Sequence, residues 1–259
     1  NRGEIVQRAI RTIKEMGKKS VAIYSAGDKN ASYLKHADEA VCIGGAKSSE
    51  SYLNIPAIIT AAEMTGCDAI FPGYGFLSEN QDFVEICKLH NIKFIGPTSE
   101  VMEKMADKSK AKEEMVRAGV PVVPGSKGAV RTLEEGKRIA KEIGYPIMAK
   151  ASAGGGGRGM RLIKEEAEFD HMYLAASSEA LAAFGDGTMY LERFINNPRH
   201  IEVQVLGDSH GNAIHIGERD CSLQRRHQKV IEESPAILLN EETRAKLLDV
   251  AVKATKYLK

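Results

Sequence analysis

The 259-residue sequence contains no tryptophan and only four cysteines. These cysteines lie far apart and form neither a CxxC pair nor a Cys/His metal spacing: Cys42, Cys67, Cys87 and Cys221. This scarcity argues against a disulfide scaffold and against a zinc-ribbon module. We interpret each cysteine first as a reduced, small, buried hydrophobe.

The sequence also lacks excess charge and long apolar runs. Lys plus Arg number 36 against 35 Asp plus Glu, so no overall field favours nucleic acid or an anionic membrane, and any anion site must be local. No apolar run approaches the roughly 20 residues that span a bilayer, and no secretory signal is present. A cytoplasmic protein that binds neither nucleic acid nor membrane is predicted. Its 43% hydrophobic residues suffice for one large domain or two ordinary ones.

Helical and strand patterns alternate in the first hundred residues. A helix from Gly3 to Met16 precedes strands at SVAIY, AVCIG, AIF and KFIG, with helical patterns between them. Such alternation predicts right-handed βαβ crossovers and a parallel, Rossmann-like sheet. The series begins with a helix, the chain opens without Met, and it stops inside an amphipathic pattern without a cap. We therefore expect a fragment of a longer protein.

The pattern changes between Gly96 and Pro124, where two charged helices lead into the Pro- and Gly-rich stretch AGVPVVPGS. A small α+β unit follows, and then a strand-rich segment in which GDSHGN joins two antiparallel strands. The predicted fold class is thus α/β, with a parallel N-terminal sheet followed by an α+β region. We expect three segments: residues 1–106, 107–187 and 188–259.

Four glycines stand between a lysine and an arginine in KASAGGGGRGM, at 150–160. Strand patterns flank them, which is unusual for a flexible linker, and glycine backbones can point several N–H groups at a phosphate. The loop lacks the ending of a P-loop and does not open a helix, so the glycines by themselves leave a plain loop as an alternative. Lys150 ends an apolar strand, where a lysine needs an anionic partner.

Two later segments carry polar residues in strand patterns. MYLERFI contains Glu192 and reads either as an edge strand with an exposed ion pair or as a hinge whose backbone and carboxylate bond an adenine. ERDCSLQRRHQKVIEE concentrates Arg, His and Lys, which indicates a site for a multiply charged anion, although a solvated strand face is the alternative.

Taken together, these motifs resemble the biotin carboxylases, ATP-grasp enzymes of biotin-dependent carboxylases. The resemblance runs through SYLNIPAIITAAEMTGCDAIFPGYGFLSEN, FIGPTSE, AGVPVVPGS, KASAGGGGRGM and NPRHIEVQVLGDSHGNAIHIGERDCSLQRRHQKVIEESPA, and covers essentially the whole chain. Phe71 stands where the family commonly has His. The fold implied is a pre-ATP-grasp domain followed by part of an ATP-grasp domain.

The resemblance implies an ATP-dependent ligase. Bicarbonate would attack the γ-phosphate of MgATP, with Mn²⁺ as an alternative ion, and the resulting carboxyphosphate would carboxylate N1′ of biotin on a carrier protein. The implied ATP-binding residues are Lys108, Lys150, Gly156, Gly157, Glu192, Arg193, Phe194, Ile195, His200, Gln224 and His227. Lys229 would bind bicarbonate and act in catalysis. No metal ligand is expected within these residues, so we expect that this fragment cannot turn over alone.

The resemblance also implies partners: a biotin carboxyl carrier protein or domain, a carboxyltransferase, and a second copy in a homodimer. Acetyl-CoA carboxylase, and hence fatty acid biosynthesis, is the first expectation for the parent complex, ahead of pyruvate and propionyl-CoA carboxylases. Two alternatives remain: another ATP-grasp ligase, such as carbamoyl phosphate synthetase or a purine-pathway enzyme, and a nucleotide-binding module without catalysis.

Overall fold

A computed structural model of the chain describes residues 1–106, 108–152, 159–225 and 228–258, without the side chains of 108 and 109. The chain divides into two compact units, Asn1–Lys104 and Met105–Lys259. In the described parts of the chain, no helix combines the length and apolarity required to cross a bilayer.

The first unit alternates helices with short parallel strands, as predicted. In order, it contains α1 (Glu4–Glu15), β1 (Val21–Tyr24), β2 (Glu39–Cys42), α2 (Ile55–Met64), β3 (Ala69–Ile70), α3 (Gln81–Leu89), β4 (Lys93–Phe94) and α4 (Ser99–Ala106), the last of which runs into the second unit. The strands form two parallel pairs, β1 with β2 and β3 with β4. In the connection between β1 and β2, where the sequence pattern predicts a helix around 31–38, the structure has a short 3₁₀ segment, Ser32–His36.

Asparagine caps start two of these helices. The Asn54 side chain accepts from the Ala57 N–H at 3.1 Å, and Asn80 accepts from Phe83 at 2.8 Å. Both helices then bury apolar faces in one core cluster, which includes Tyr52.

The second unit contains two three-stranded antiparallel sheets. Its elements are α5 (Lys108–Arg117), α6 (Leu133–Ile143), β5 (Ile147–Ala151), β6 (Met160–Ile163), α7 (Phe169–Phe184), β7 (Met189–Arg193), β8 (Ile201–Gly207), β9 (Ala213–Arg225), β10 (Gln228–Glu233) and α8 (Glu241–Leu258). The strand orders are β6-β5-β7 and β10-β9-β8.

The sheet β6-β5-β7 is covered on one face by α6 and α7. Alternation along the strands places Ile147, Ala149, Met189 and Leu191 in that core, all with 0% exposure. The next residues along each strand therefore lie on the opposite face. This uncovered face carries the first group of predicted site residues.

Candidate functional site

The uncovered face of the sheet β6-β5-β7 is polar. In the antiparallel pairing of β5 with β7, Lys150 lies opposite Tyr190, and Met148 lies opposite Glu192. The Lys150 ammonium and the Glu192 carboxylate form an ion pair across the two strands. The anionic partner that a lysine at the end of an apolar strand requires is thus supplied, in part, by the predicted hinge residue.

A second lysine reaches this face from α5. The Lys112 ammonium donates to the Tyr190 hydroxyl. Burial lowers the pKa of Lys112, which the nearby Glu192 carboxylate partly offsets. Burial, reinforced by Glu192, raises the pKa of Tyr190 to about 12. Lys150 is paired with Glu192, whereas Lys112 interacts with that carboxylate only at longer range, which leaves a local positive charge suited to an anion although the chain is nearly neutral.

The outer edge of β7 is closed by the segment 124–130. Backbone hydrogen bonds join Ser126 N–H to the Leu191 carbonyl at 2.7 Å and pair Val130 with Met189 in both directions. The Arg193 N–H donates to the Pro124 carbonyl at 2.8 Å. Strand β7 is therefore not the solvent-exposed edge that the alternative interpretation of MYLERFI required.

Some of the polar groups in the predicted adenine hinge, residues 192–195, already form hydrogen bonds within the protein. The Phe194 N–H donates to the Pro146 carbonyl at 3.0 Å, and the Arg193 guanidinium donates to the Ile143 carbonyl. Among the described residues, no acceptor lies within hydrogen-bond distance of the Ile195 N–H. In this segment, the Ile195 amide is the backbone donor left for a ligand.

A second group of predicted residues lies on the sheet β10-β9-β8. The Lys229 ammonium pairs with the Glu202 carboxylate, which also accepts from Arg219 at 2.6 Å. The hydrogen bond from Lys229, with that from Arg219, lowers the pKa of Glu202. The same hydrogen bond to Glu202 raises the pKa of Lys229, which therefore stays cationic.

His200 and Gln224 are brought together beside this cluster. The Gln224 Nε2 lies 2.9 Å from His200 Nδ1. Both side chains line an open pocket of about 390 Å³, together with Pro198, Arg199, Ile201 and Ser222. This pocket is thus a concave surface that carries several polar groups.

Three side chains, two carboxylates and one thiol, lie close enough together to bind a metal ion, but their chemistry does not suit a hard divalent ion. The ligand atoms of Glu202, Cys221 and Glu232 lie within 4.8 Å of one another. Burial raises the pKa of Cys221, so it stays a protonated, soft ligand, and Glu202 is already neutralised by Lys229 and Arg219. Magnesium prefers several oxygen ligands, so we assign no metal to this trio.

The structure thus brings Lys150 together with Glu192, and His200 together with Gln224, each pair on its own sheet. Gly156, Gly157 and His227 lie outside the described residues, as does the side chain of Lys108.

Sequence reasoning missed Lys112 and Tyr190, and although Arg219 lies in the basic segment that it singled out, it did not predict the contacts of Arg219 and Lys229 with Glu202. The spacing of Lys108 and Lys112, four residues apart on one helix, could have indicated a second lysine on the same face. The partnership of Glu202 with Lys229 carries no sequence signal because 27 residues separate the two.

Family models match almost the whole chain. The model described as the ATP-binding domain of the carbamoyl-phosphate synthase L chain matches residues 107–259, and the model for the N-terminal domain of biotin carboxylase matches residues 1–102. The fold and these matches define an enzyme of the ATP-grasp class.

Curated relatives narrow this class. A biotin carboxylase of Nostoc sp. is 56% identical over 258 residues, which is 100% of this chain and 58% of the relative. The chloroplastic biotin carboxylase of Arabidopsis thaliana is 57% identical over 98% of this chain and 47% of its own length. The chain therefore belongs to the biotin carboxylase family, and this match confirms the predicted resemblance and fold class. The chain spans about half the length of these relatives.

Solved structures that are similar to this chain are also biotin carboxylases. A biotin carboxylase from Campylobacter jejuni, in a β,γ-ATP complex, superposes with a TM-score of 0.86 at 67% identity, over 100% of this chain and 58% of that one. The biotin carboxylase domain dimer of 2-oxoglutarate carboxylase from Hydrogenobacter thermophilus, with MgADP, ADP and bicarbonate, has a TM-score of 0.82 at 52% identity, over 100% of this chain and 57% of that one.

Proposed function

We propose that the intact protein catalyses the ATP-dependent carboxylation of biotin on a biotin carboxyl carrier protein, with bicarbonate as the carbon source. The observation that carries this proposal is the positively charged, uncovered face of the sheet β6-β5-β7 in a chain that shares 67% identity with a biotin carboxylase in a β,γ-ATP complex. The carrier protein, the carboxyltransferase and a homodimer are proposals of the same kind.

The nucleotide would bind over this face. The Lys150 ammonium, beside the glycine-rich loop, is placed to contact phosphate oxygens, and such contact would compete with its ion pair to Glu192. The Glu192 carboxylate can accept a hydrogen bond from the amino group of adenine, and the Ile195 N–H can donate one to a ring nitrogen of adenine. By family position alone, we propose that Lys108 also contacts the phosphates, that Gly156 and Gly157 close over them, and that His227 lines the nucleotide site.

In the proposed reaction, a bicarbonate oxygen attacks the γ-phosphorus and ADP leaves, which gives carboxyphosphate. N1′ of biotin then bonds to the carboxyl carbon, the C–O bond to the phosphoryl group breaks, and the released phosphate takes up the N1′ proton. Lys229, held cationic by Glu202, would neutralise bicarbonate or the phosphoryl group. Mg²⁺ accompanies ADP in the Hydrogenobacter structure, and we propose it here without assigning ligands.

The segment boundaries are part of the proposal. The two compact units and the two family models support a division near residue 105, with a pre-ATP-grasp segment of 1–106. Within the second unit, we propose residues 107–187 as the small lid subdomain, which holds β5 and β6, while the third strand of their sheet, β7, lies just beyond this boundary. Residues 188–259 would begin the large subdomain. We also propose a cytoplasmic location for the intact protein.

The test measures ADP release by the full-length protein. We expect ADP formation that requires bicarbonate and is stimulated by free biotin. The Lys150→Met variant should raise the KM for ATP at least tenfold, whereas Lys150→Arg should recover part of the loss. Lys164→Met, at an exposed lysine just after β6, is the matched control and should leave KM unchanged.

Two other results would each favour a different function over biotin carboxylation. Stimulation by ammonia, without an effect of biotin, would indicate a carbamoyl-phosphate-type ligase, for which the family match of residues 107–259 is the specific support. Protection by ATP against unfolding, without ADP formation under any condition, would indicate a nucleotide-binding module.

A further inference from the structure

A buried carboxylate on β9 organises one end of the sheet β10-β9-β8. Asp220 is only 7% exposed. One carboxylate oxygen accepts from the Arg199 guanidinium at 2.7 and 3.2 Å, and the other accepts from the Ser222 N–H at 3.0 Å and hydroxyl at 2.5 Å. The Ser222 hydroxyl, followed by Arg199, lowers the pKa of Asp220 to about 2, so the group is an anion at neutral pH.

Ser222, which is hydrogen-bonded to Asp220, in turn fixes the backbone of His200. Because the Ser222 hydroxyl proton points to Asp220, the hydroxyl oxygen is an acceptor on its other side, and it accepts the His200 N–H at 3.0 Å. The His200 carbonyl in turn accepts the Cys221 N–H at 2.7 Å. Both backbone polar groups of His200 are therefore held by three consecutive residues of β9.

Gln224 sets the protonation of the His200 ring. Its amide nitrogen lies 2.9 Å from the Cys221 carbonyl oxygen, which can only accept, so this atom must be the NH₂ group. The same nitrogen lies 2.9 Å from His200 Nδ1. An NH₂ group can only donate, so Nδ1 must be the unprotonated acceptor, and the ring proton must lie on Nε2.

The Nε2–H group is not used by the described parts of the protein. The nearest carboxylate oxygen, on Glu202, is 3.8 Å away, beyond hydrogen-bond distance. That carboxylate already accepts from Lys229 and Arg219. His200 is also one of the residues that line the 390 Å³ pocket.

We infer that Asp220, Ser222 and Gln224 are positioning residues for His200: Ser222, fixed by Asp220, holds its backbone, and Gln224 holds its ring as the Nε2–H tautomer, a fixed hydrogen-bond donor to an acceptor oxygen of the ligand in this pocket. That the ligand is a nucleotide, whose ribose or phosphate oxygens supply the acceptor, rests on the proposed function. The tautomer and the positioning network follow from the contacts of this chain.

The first test reads the tautomer directly. Full-length protein labelled with ¹⁵N-histidine is measured by long-range ¹H–¹⁵N NMR without nucleotide, and a His200→Asn variant assigns the signals. We expect the Nε2–H pattern in the wild type. Gln224→Glu replaces the donor by an acceptor and should move the proton to Nδ1 or protonate both nitrogens. Gln81→Glu, the same change at the start of α3 in the first unit, should leave the pattern unchanged.

Either of two NMR results overturns the inference: an Nδ1–H ring in the wild type, or a pattern that Gln224→Glu leaves unchanged. Because no turnover is needed, this test stands even if the proposed function fails. Failure of the function would instead show as the absence of biotin-stimulated ADP release from a protein with the expected tautomer.

The second test uses steady-state kinetics of full-length variants to ask whether Ser222 and Asp220 position His200. Ser222→Ala should raise the KM for ATP roughly tenfold while kcat changes less than about twofold, because binding geometry and not chemistry is altered. Ser222→Thr keeps the hydroxyl and should restore most of the affinity, and Asp220→Asn should resemble Ser222→Ala. A fall in kcat at constant KM, or a Ser222→Thr variant no better than Ser222→Ala, would refute positioning, even if Asp220→Asn does not fold.

Discussion

An ion pair between β9 and α8 gives the sharpest stability prediction. Glu218 is 3% exposed, and its carboxylate accepts from Arg244 at 2.9 Å and from the Ala236 N–H at 3.2 Å. Arg244 is 21% exposed and also donates to the Ala236 carbonyl at 3.0 Å. Replacing Arg244 by Met would keep the packing stem but leave the Glu218 charge buried without its cation.

The size of the effect follows from burial. Breaking a buried pair from one side costs about 3–5 kcal/mol, and because Arg244 keeps some exposure we expect the lower end, about 3 kcal/mol. At about 1.4 kcal/mol per factor of ten, the variant should open this region roughly a hundredfold more often. The Glu218→Met/Arg244→Met double variant removes both charges and should recover most of the loss.

The effect should depend on pH in a defined direction. Burial alone would raise the pKa of Glu218, but backbone hydrogen bonds and Arg244 outweigh it and hold the pKa below its ordinary value of 4.5. Wild-type Glu218 therefore contributes stability that is present above pH 4.5 and lost as the pH falls through the lowered pKa. In Arg244→Met, loss of the cation raises this pKa, so the deficit is greatest at neutral pH and shrinks on acidification.

Hydrogen exchange of the full-length protein, followed by mass spectrometry, measures the opening locally. Peptides from β9 and α8 should exchange roughly a hundredfold faster in Arg244→Met at pH 7, after correction for intrinsic rates, while peptides from α2 and α3 stay unchanged. Lys246→Met, at an exposed surface pair of the same helix, is the control and should change exchange little. Equal exchange in Arg244→Met and wild type would refute the reasoning.

Three further predictions concern other parts of the chain. Glu202→Gln should lower the pKa of Lys229 and shift the alkaline limb of the pH–rate profile of the full-length protein to lower pH; an unmoved limb would show that Lys229 does not set it. Gly125→Ala should lower the melting temperature, because the added Cβ would lie 2.6 Å from the Leu191 carbonyl oxygen; an unchanged value would mean that the segment can shift without cost. Phe169→Ala should cost about 3–5 kcal/mol in urea unfolding, since Phe169 is fully buried, and a loss below about 1 kcal/mol would contradict the packing argument.

Much of the secondary structure could be predicted from local patterns. Apolar periodicity located α6, β6 and α8 at the bounds that the structure has, and GDSHGN marked the turn between β8 and β9. Such signals are local because a helix cap, a turn or an alternating strand needs only neighbouring residues. The 3₁₀ segment Ser32–His36 departed from the predicted helix, and the strands that flank it, β1 and β2, pair through contacts that no local pattern reports.

The chemical character of the site was likewise readable in the sequence: a glycine-rich loop beside Lys150, a carboxylate in MYLERFI and a basic segment around Lys229. Only the tertiary structure decided the partners of these groups. Lys150 faces Glu192 because β5 and β7 pair in one register, and Lys229 meets Glu202 because β8 and β10 both flank β9. Pairing energies between residues 27 or 42 positions apart leave no local trace, so the ion pairs, the Lys112 contact and the tautomer of His200 follow from the fold alone.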